Sequence, residues 1–241
     1  MLFFYLFLCK LGMSLSASFS FLLLVWVGMS GERVPSDYAR MGFVEAELFD
    51  KKVKEHFMPA IISMVKQIIE DYDLQGVCVD VGCGTAVFAV ELCRHSNLTI
   101  YALEREEAIC KVAYVNIKRE GLKDRIIPVL GDAHKMPFKD EFADFVISRG
   151  SYHCWEDKVL VFKEVYRVLK RGGIALVGGG FGRYVTEEEL KRMKLLRDLS
   201  LGENAKAYSS PDKLREVVYR AGIPNFRIIY DPVGLWAEIK K

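Results

Sequence analysis

Asp80, Gly82, Gly84, Glu104 and Asp132 are the residues whose types and spacing could hold a small polar ligand. Gly82 permits a tight turn, and Gly84 lets the backbone approach a ligand with no Cβ in the way. A helix starting near Thr85 would offer free N–H groups to an acidic or phosphate-bearing group. Asp80, two residues ahead of the first glycine, could order the loop or meet a cationic amino group. Glu104 ends an apolar run roughly twenty residues after the glycines, the usual place for an acid that bonds ribose hydroxyls. Asp132 follows another apolar run, in Gly131-Asp132-Ala133. By itself the glycine-rich turn serves a dinucleotide, another nucleoside or a close chain crossing equally well; the acids narrow that choice.

Positioning these groups requires strands that end together. The spacing predicts strand Val77–Val81, helix Thr85–Arg94, strand Thr99–Leu103, helix Glu106–Glu120 and strand Ile126–Leu130. Strands separated by helices of this length imply right-handed crossovers and a parallel sheet. Strand Ala143–Ser148, helix Glu156–Lys170 stopped by Gly172-Gly173, and strand Ile174–Val177 follow. The glycine run 178–182 is expected to pass close to a ligand, to hinge a lid or to be a plain loop. Helix Thr186–Asp198, helix Pro211–Ala221 and a hairpin of Phe226–Tyr230 with Gly234–Ile239 complete the chain. Ahead of the sheet, Ser36–Asp50 reads as helical. Lys51–Asp71 carries an apolar stripe interrupted by Pro59, so a kink or two shorter helices is expected. This segment would pack the sheet edge or close over a bound cofactor.

Asp80-Val-Gly-Cys-Gly-Thr-Ala86, the acid Glu104, Gly131-Asp132-Ala133 and Arg171-Gly-Gly173 together resemble the class I S-adenosylmethionine-dependent methyltransferases, over about residues 50 to 240. The resemblance implies a Rossmann-like three-layer α/β sandwich, its seven-stranded mostly parallel sheet ending in an antiparallel C-terminal hairpin. It implies S-adenosylmethionine as cofactor. Gly82 and Gly84 would pass the aminocarboxypropyl part, and Glu104 would bind the ribose hydroxyls. Asp132 would meet the adenine amino group, helped by the Ala133 backbone. Asp80 and Ser148 fall at the same sheet edge. The chain departs from the family at Ala86, where a third glycine is usual.

Methyl transfer from a sulfonium is an in-line displacement that needs a held donor, an oriented acceptor and excluded water. The segment 148–155, after the fourth strand, lacks the Pro-Pro-Tyr type of sequence used on planar amino groups, which points to a small-molecule methyl acceptor. Tyr152, His153 and Trp155 would form an aromatic, partly polar wall, with Tyr152 and His153 the catalytic candidates. His153 could act as a general base or make only a structural bond. Cys154 raises a thiol or metalloid acceptor. A nicotinamide-dependent oxidoreductase is the rival reading, but its Gly-x-Gly-x-x-Gly would need glycine where Val87 stands. A non-catalytic S-adenosylmethionine-binding protein is the other.

A net charge of +2 is too small to argue for nucleic acid. The six cysteines show no metal spacing, and Cys78 and Cys83, in or beside a strand, suit small buried thiols rather than disulfides, which favours the cytoplasm. Residues 1–28 are apolar and could be a membrane anchor, a cleaved signal, or an artefact preceding a true start at Met29. A membrane partner enters only if that leader is retained; residues 29–241 would be the methyltransferase domain.

Overall fold

The computed structural model describes residues 42–201 and 210–241. The apolar leader and the first part of the Ser36–Asp50 segment lie outside the described residues. Two helices come first, α1 (Phe43–His56) and α2 (Met58–Asp71). The break falls at Phe57, and Pro59 takes a place in the first turn of α2, where its missing N–H costs nothing.

From there strands and helices alternate: β1 (Val77–Val81), α3 (Val87–Arg94), β2 (Thr99–Glu104), α4 (Glu107–Arg119), β3 (Ile126–Leu130), β4 (Ala143–Arg149), α5 (Lys158–Val168) and β5 (Leu169–Gly180). Next are α6 (Glu187–Leu201), α7 (Pro211–Arg220), β6 (Phe226–Asp231) and β7 (Gly234–Lys240). The seven strands lie in the order β3-β2-β1-β4-β5-β7-β6. The first five are parallel, whereas β7 runs antiparallel to both β5 and β6. The expected Rossmann-like sheet and its terminal hairpin are both present.

Alternation along each strand sends side chains to two cores. Cys78, Ile100, Phe145 and Leu176 face α2, α3 and α4, where Ile61, Met64, Phe88 and Ile117 meet them. Val79, Val81, Val146 and Val177 face the other way, onto Val161, Phe162 and Val165 of α5 and Leu214 and Val218 of α7. Each such fully buried side chain contributes about 1.5–3 kcal/mol. Among the described residues no helix is long and apolar enough to cross a membrane.

Two expectations need correcting. Helix α5 stops at Val168 rather than at Gly172-Gly173, because Leu169 already pairs with Ala143 and begins β5. The glycines at 178–180 are not a loop or a hinge. They are the end of β5, paired with Trp236, Leu235 and Gly234 of β7. A Cβ on Gly178 would sit 2.1 Å from the Leu235 carbonyl oxygen, so the close passage there is to another strand. The last glycine of the run, Gly182, approaches Ser63 and Met64 of α2 in the same way. Sheet pairing and helix packing account for this run.

Candidate functional site

Strand register brings the predicted residues to one edge. Asp80 lies level with Ala102 on β2 and Ile147 on β4, so Gly82, Glu104 and Ser148 all emerge at the carboxyl ends. The sheet order changes direction between β1 and β4, the position where open α/β sheets bind ligands.

Hydrogen bonds stitch the loops at this edge into a rim. The amides of Gly82 and Cys83 both donate to the Leu103 carbonyl, at 2.9 and 3.0 Å. Glu104 holds the same turn through its side chain: Oε2 accepts from the Gly84 amide at 3.0 Å, and Oε1 from the amides of Arg105 and Glu106 at 2.8 and 3.1 Å. Burial pushes the Glu104 carboxyl up, and these three amides pull against that. On the far side Ser148, fully buried, shares a 2.6 Å hydrogen bond with Ser151, whose hydroxyl donates to the Val81 carbonyl at 2.9 Å. Gly82 needs its missing side chain here, since a Cβ would lie 2.5 Å from that of Ser151.

Asp80 stands out. Its side chain is buried, and Oδ2 has no hydrogen-bond partner among the described residues. Burial, reinforced by the nearby Glu104 and opposed by Arg149, pushes its carboxyl up to about 7. Leaving a buried acceptor unsatisfied costs about 1–3 kcal/mol, a cost that a bound donor would relieve.

Ala86 adopts the left-handed conformation, φ 61° and ψ 18°, immediately before α3. Left-handed backbone costs alanine about 1–2 kcal/mol. Glycine would avoid that cost but forfeit about 0.8 kcal/mol of methyl burial and some chain entropy. Those terms nearly cancel, which explains why alanine serves where the family has glycine. Ala86→Gly should therefore move unfolding stability by less than about 1 kcal/mol, as read by urea denaturation. A larger loss would show that the buried methyl dominates.

Asp132 lies at the next rim position, after β3. Its Oδ1 accepts from the His134 amide at 2.8 Å and from the ring Nδ1 at 2.7 Å. Burial would raise its carboxyl, but the His134 amide and ring outweigh that and hold it below the usual carboxylate range. Ala133 opens the short turn Ala133–Lys135 that Asp132 caps.

The expected acceptor wall is arranged differently. Tyr152 and Trp155 are both buried, packed edge-on to one another at 5.7 Å and against Phe162 in the second core. Burial also pushes the Tyr152 phenol up to about 12. His153, half-buried in the turn Tyr152–Cys154, has its imidazole pushed down by burial and by Lys158, so it is a neutral base at physiological pH. Burial also raises the Cys154 thiol.

Some site residues escaped sequence reasoning. Helix α1 does not pack the sheet edge; Ala46 sits on Ile109 and Val112 of α4. Asn116 on α4 ties it down, donating to Asp50 at 2.8 Å and to the Thr85 carbonyl at 2.9 Å, while accepting from Lys54 at 2.7 Å. Phe49 consequently lies 3.6 Å from where a Cβ of Gly84 would be, so α1 covers the glycine turn. A signal for this existed: Asn116 is a polar residue on the Ile109-Val112-Ala113-Ile117 stripe. Ser151 gave no such signal.

Comparison with known proteins agrees with this fold. Residues 79–177 match the model of a family described as a methyltransferase domain. A Methanococcus maripaludis structure assigned as an S-adenosyl-L-methionine-dependent methyltransferase superposes with a TM-score of 0.75 at 29% identity, covering 88% of this chain and 97% of that one. Residues 79–177 carry a methyltransferase domain, and the fold around them is that of S-adenosylmethionine-dependent methyltransferases. It is 36% identical over 104 residues to a spinach 2-methyl-6-phytyl-1,4-hydroquinone methyltransferase, covering 42% of this chain and 28% of that protein. It is 30% identical over 132 residues to a sterol 24-C-methyltransferase of Gibberella zeae, covering 52% and 33%. The chain spans about a third of the length of the curated relatives it matches. The nicotinamide-dependent rival draws no support from these relatives.

Proposed function

We propose that this methyltransferase domain binds S-adenosylmethionine at the β1–β4 edge and passes its methyl group to a small organic acceptor. The observation that carries the reading is the buried, unpartnered Oδ2 of Asp80 beside a glycine turn held open by Glu104. A ligand with a cationic amino group, ribose hydroxyls and an adenine fits that edge, because each has a counterpart there. Asp80 would take the amino group, and Gly82 and Gly84 would let the aminocarboxypropyl chain pass. Glu104 would reach the ribose, since Oε2 accepts a single hydrogen bond from the described residues. Asp132 and the Ala133 backbone would face the adenine, with Ser148 closing the floor. Bound here, the sulfonium supplies an electrophilic methyl group. The chain's task is to hold it, exclude water and orient the acceptor.

Among the predicted catalytic pair, His153 is the base available to take a proton from an acceptor, because burial keeps its imidazole neutral. Tyr152 would contribute the buried wall behind it. Relatives acting on a hydroquinone and a sterol support a small organic acceptor. Free thiols at Cys78, Cys83, Cys93, Cys110 and Cys154 support a cytoplasmic location.

Calorimetric titration of the full chain with S-adenosylmethionine, its demethylated product and NADH tests the reading. Micromolar binding of the first two and none of NADH is expected. Glu104→Gln should weaken both by about tenfold or more, because one oxygen becomes a donor facing backbone amides. Binding of NADH alone would sink the assignment.

A further inference from the structure

We propose that His134 is a positioning residue for cofactor recognition, clamped between Asp132 and the start of α5 so that the Asp132 carboxylate is held ready for an adenine amino group. This rests on the reading of Asp132 given above.

The geometry assigns the proton. His134 Nε2 is 3.2 Å from the Asp157 amide nitrogen, and a backbone N–H can only donate. Nε2 is therefore the acceptor, which leaves the ring hydrogen on Nδ1. From there it donates to Asp132 Oδ1 at 2.7 Å. The backbone amide of His134 reaches the same oxygen at 2.8 Å. Both contacts fall on Oδ1, so Oδ2 accepts nothing from the described residues and is open to a ligand.

Exposure makes the clamp matter. The Asp132 side chain is 54% exposed and the His134 side chain 18%. A short carboxylate that accessible to water would sample several rotamers, and ordering it on binding would reduce affinity. The imidazole removes that freedom beforehand. Its other end is equally well placed: Asp157 caps α5, accepting from the Leu160 amide at 2.9 Å, and lies three residues beyond the Tyr152–Cys154 turn. His134 thus joins the adenine side of the site to the segment that precedes α5.

The test compares wild type, His134→Ala, His134→Gln and Asp132→Ala in the full chain. Each is titrated with S-adenosylhomocysteine and with its inosine counterpart, which carries a 6-oxo group in place of the amino group. Wild type should prefer the adenine form by about tenfold, the scale of one charge-assisted hydrogen bond. His134→Ala should bind S-adenosylhomocysteine about tenfold more weakly and lose most of that preference. His134→Gln should restore both, because its amide can donate to Asp132 and accept from Asp157. A merely structural histidine would not move the adenine-to-inosine ratio. If Asp132→Ala loses the preference while His134→Ala keeps it, the positioning role is wrong and the adenine assignment stands. If Asp132→Ala keeps it, the adenine assignment is wrong and this inference falls with it. Should the alanine variant not fold, His134→Met, which fills the space without a donor, carries the same comparison.

Discussion

Asp80→Asn should make the free protein more heat-stable at neutral pH and its complex with S-adenosylmethionine weaker. The folded state raises the Asp80 carboxyl from 3.8 to about 7, first through burial and then through Glu104. Between those two values the folded chain binds more protons than the unfolded one, so stability falls as pH rises and levels off above about 7. Asparagine removes the charge and with it that fall. Some cost remains, because the amide still has to be satisfied, which leaves a gain on the order of 2 kcal/mol, or about 5 °C in melting temperature. Binding moves the opposite way: the ammonium group loses its carboxylate, and affinity should drop about tenfold to a hundredfold. In wild type, affinity should tighten as pH rises toward 7, as Asp80 ionises, and the variant should lack that slope. Melting curves and titrations across this range decide the matter. A variant that melts no higher than wild type at neutral pH, or binds equally well, would show that Asp80 is not the reserved acceptor.

Gly178→Ala should be among the most damaging single methyl additions at the described glycines. The added Cβ would meet the Leu235 carbonyl oxygen at 2.1 Å and the Trp236 Cα at 2.9 Å, and neither can turn aside as a side-chain tip would. β5 and β7 would have to separate where Gly178 pairs with Trp236. The Gly178 carbonyl also accepts from the Gly150 amide at 2.8 Å, so the loop after β4 would shift with it. A loss of about 3 kcal/mol or more is expected in urea denaturation, with weakened cofactor binding. Gly121→Ala is the control. It shares a positive φ, +70°, but a Cβ there meets nothing within 4 Å, so only about 1 kcal/mol of backbone strain should appear. Equal losses at both positions would mean that conformation, not the crossing of strands, governs Gly178.

By itself the sequence determined the layered fold and the carboxyl edge where Asp80, Gly82, Glu104, Asp132 and Ser148 gather. Alternating strand and helix periods carry that information, and each loop follows the strand that places it. Tertiary structure alone decided which of these groups are already engaged. Glu104 takes three local amides and Asp132 takes His134, whereas Asp80 keeps an oxygen unpaired. Hydrogen-bond satisfaction depends on atoms brought together from distant positions, such as Asp157 to His134, and no local pattern encodes it. The glycines at 178–180 and the aromatics at 152 and 155 make the same point. Their types suit a ligand, a hinge or a core equally well, and the neighbouring strand and helix determined which.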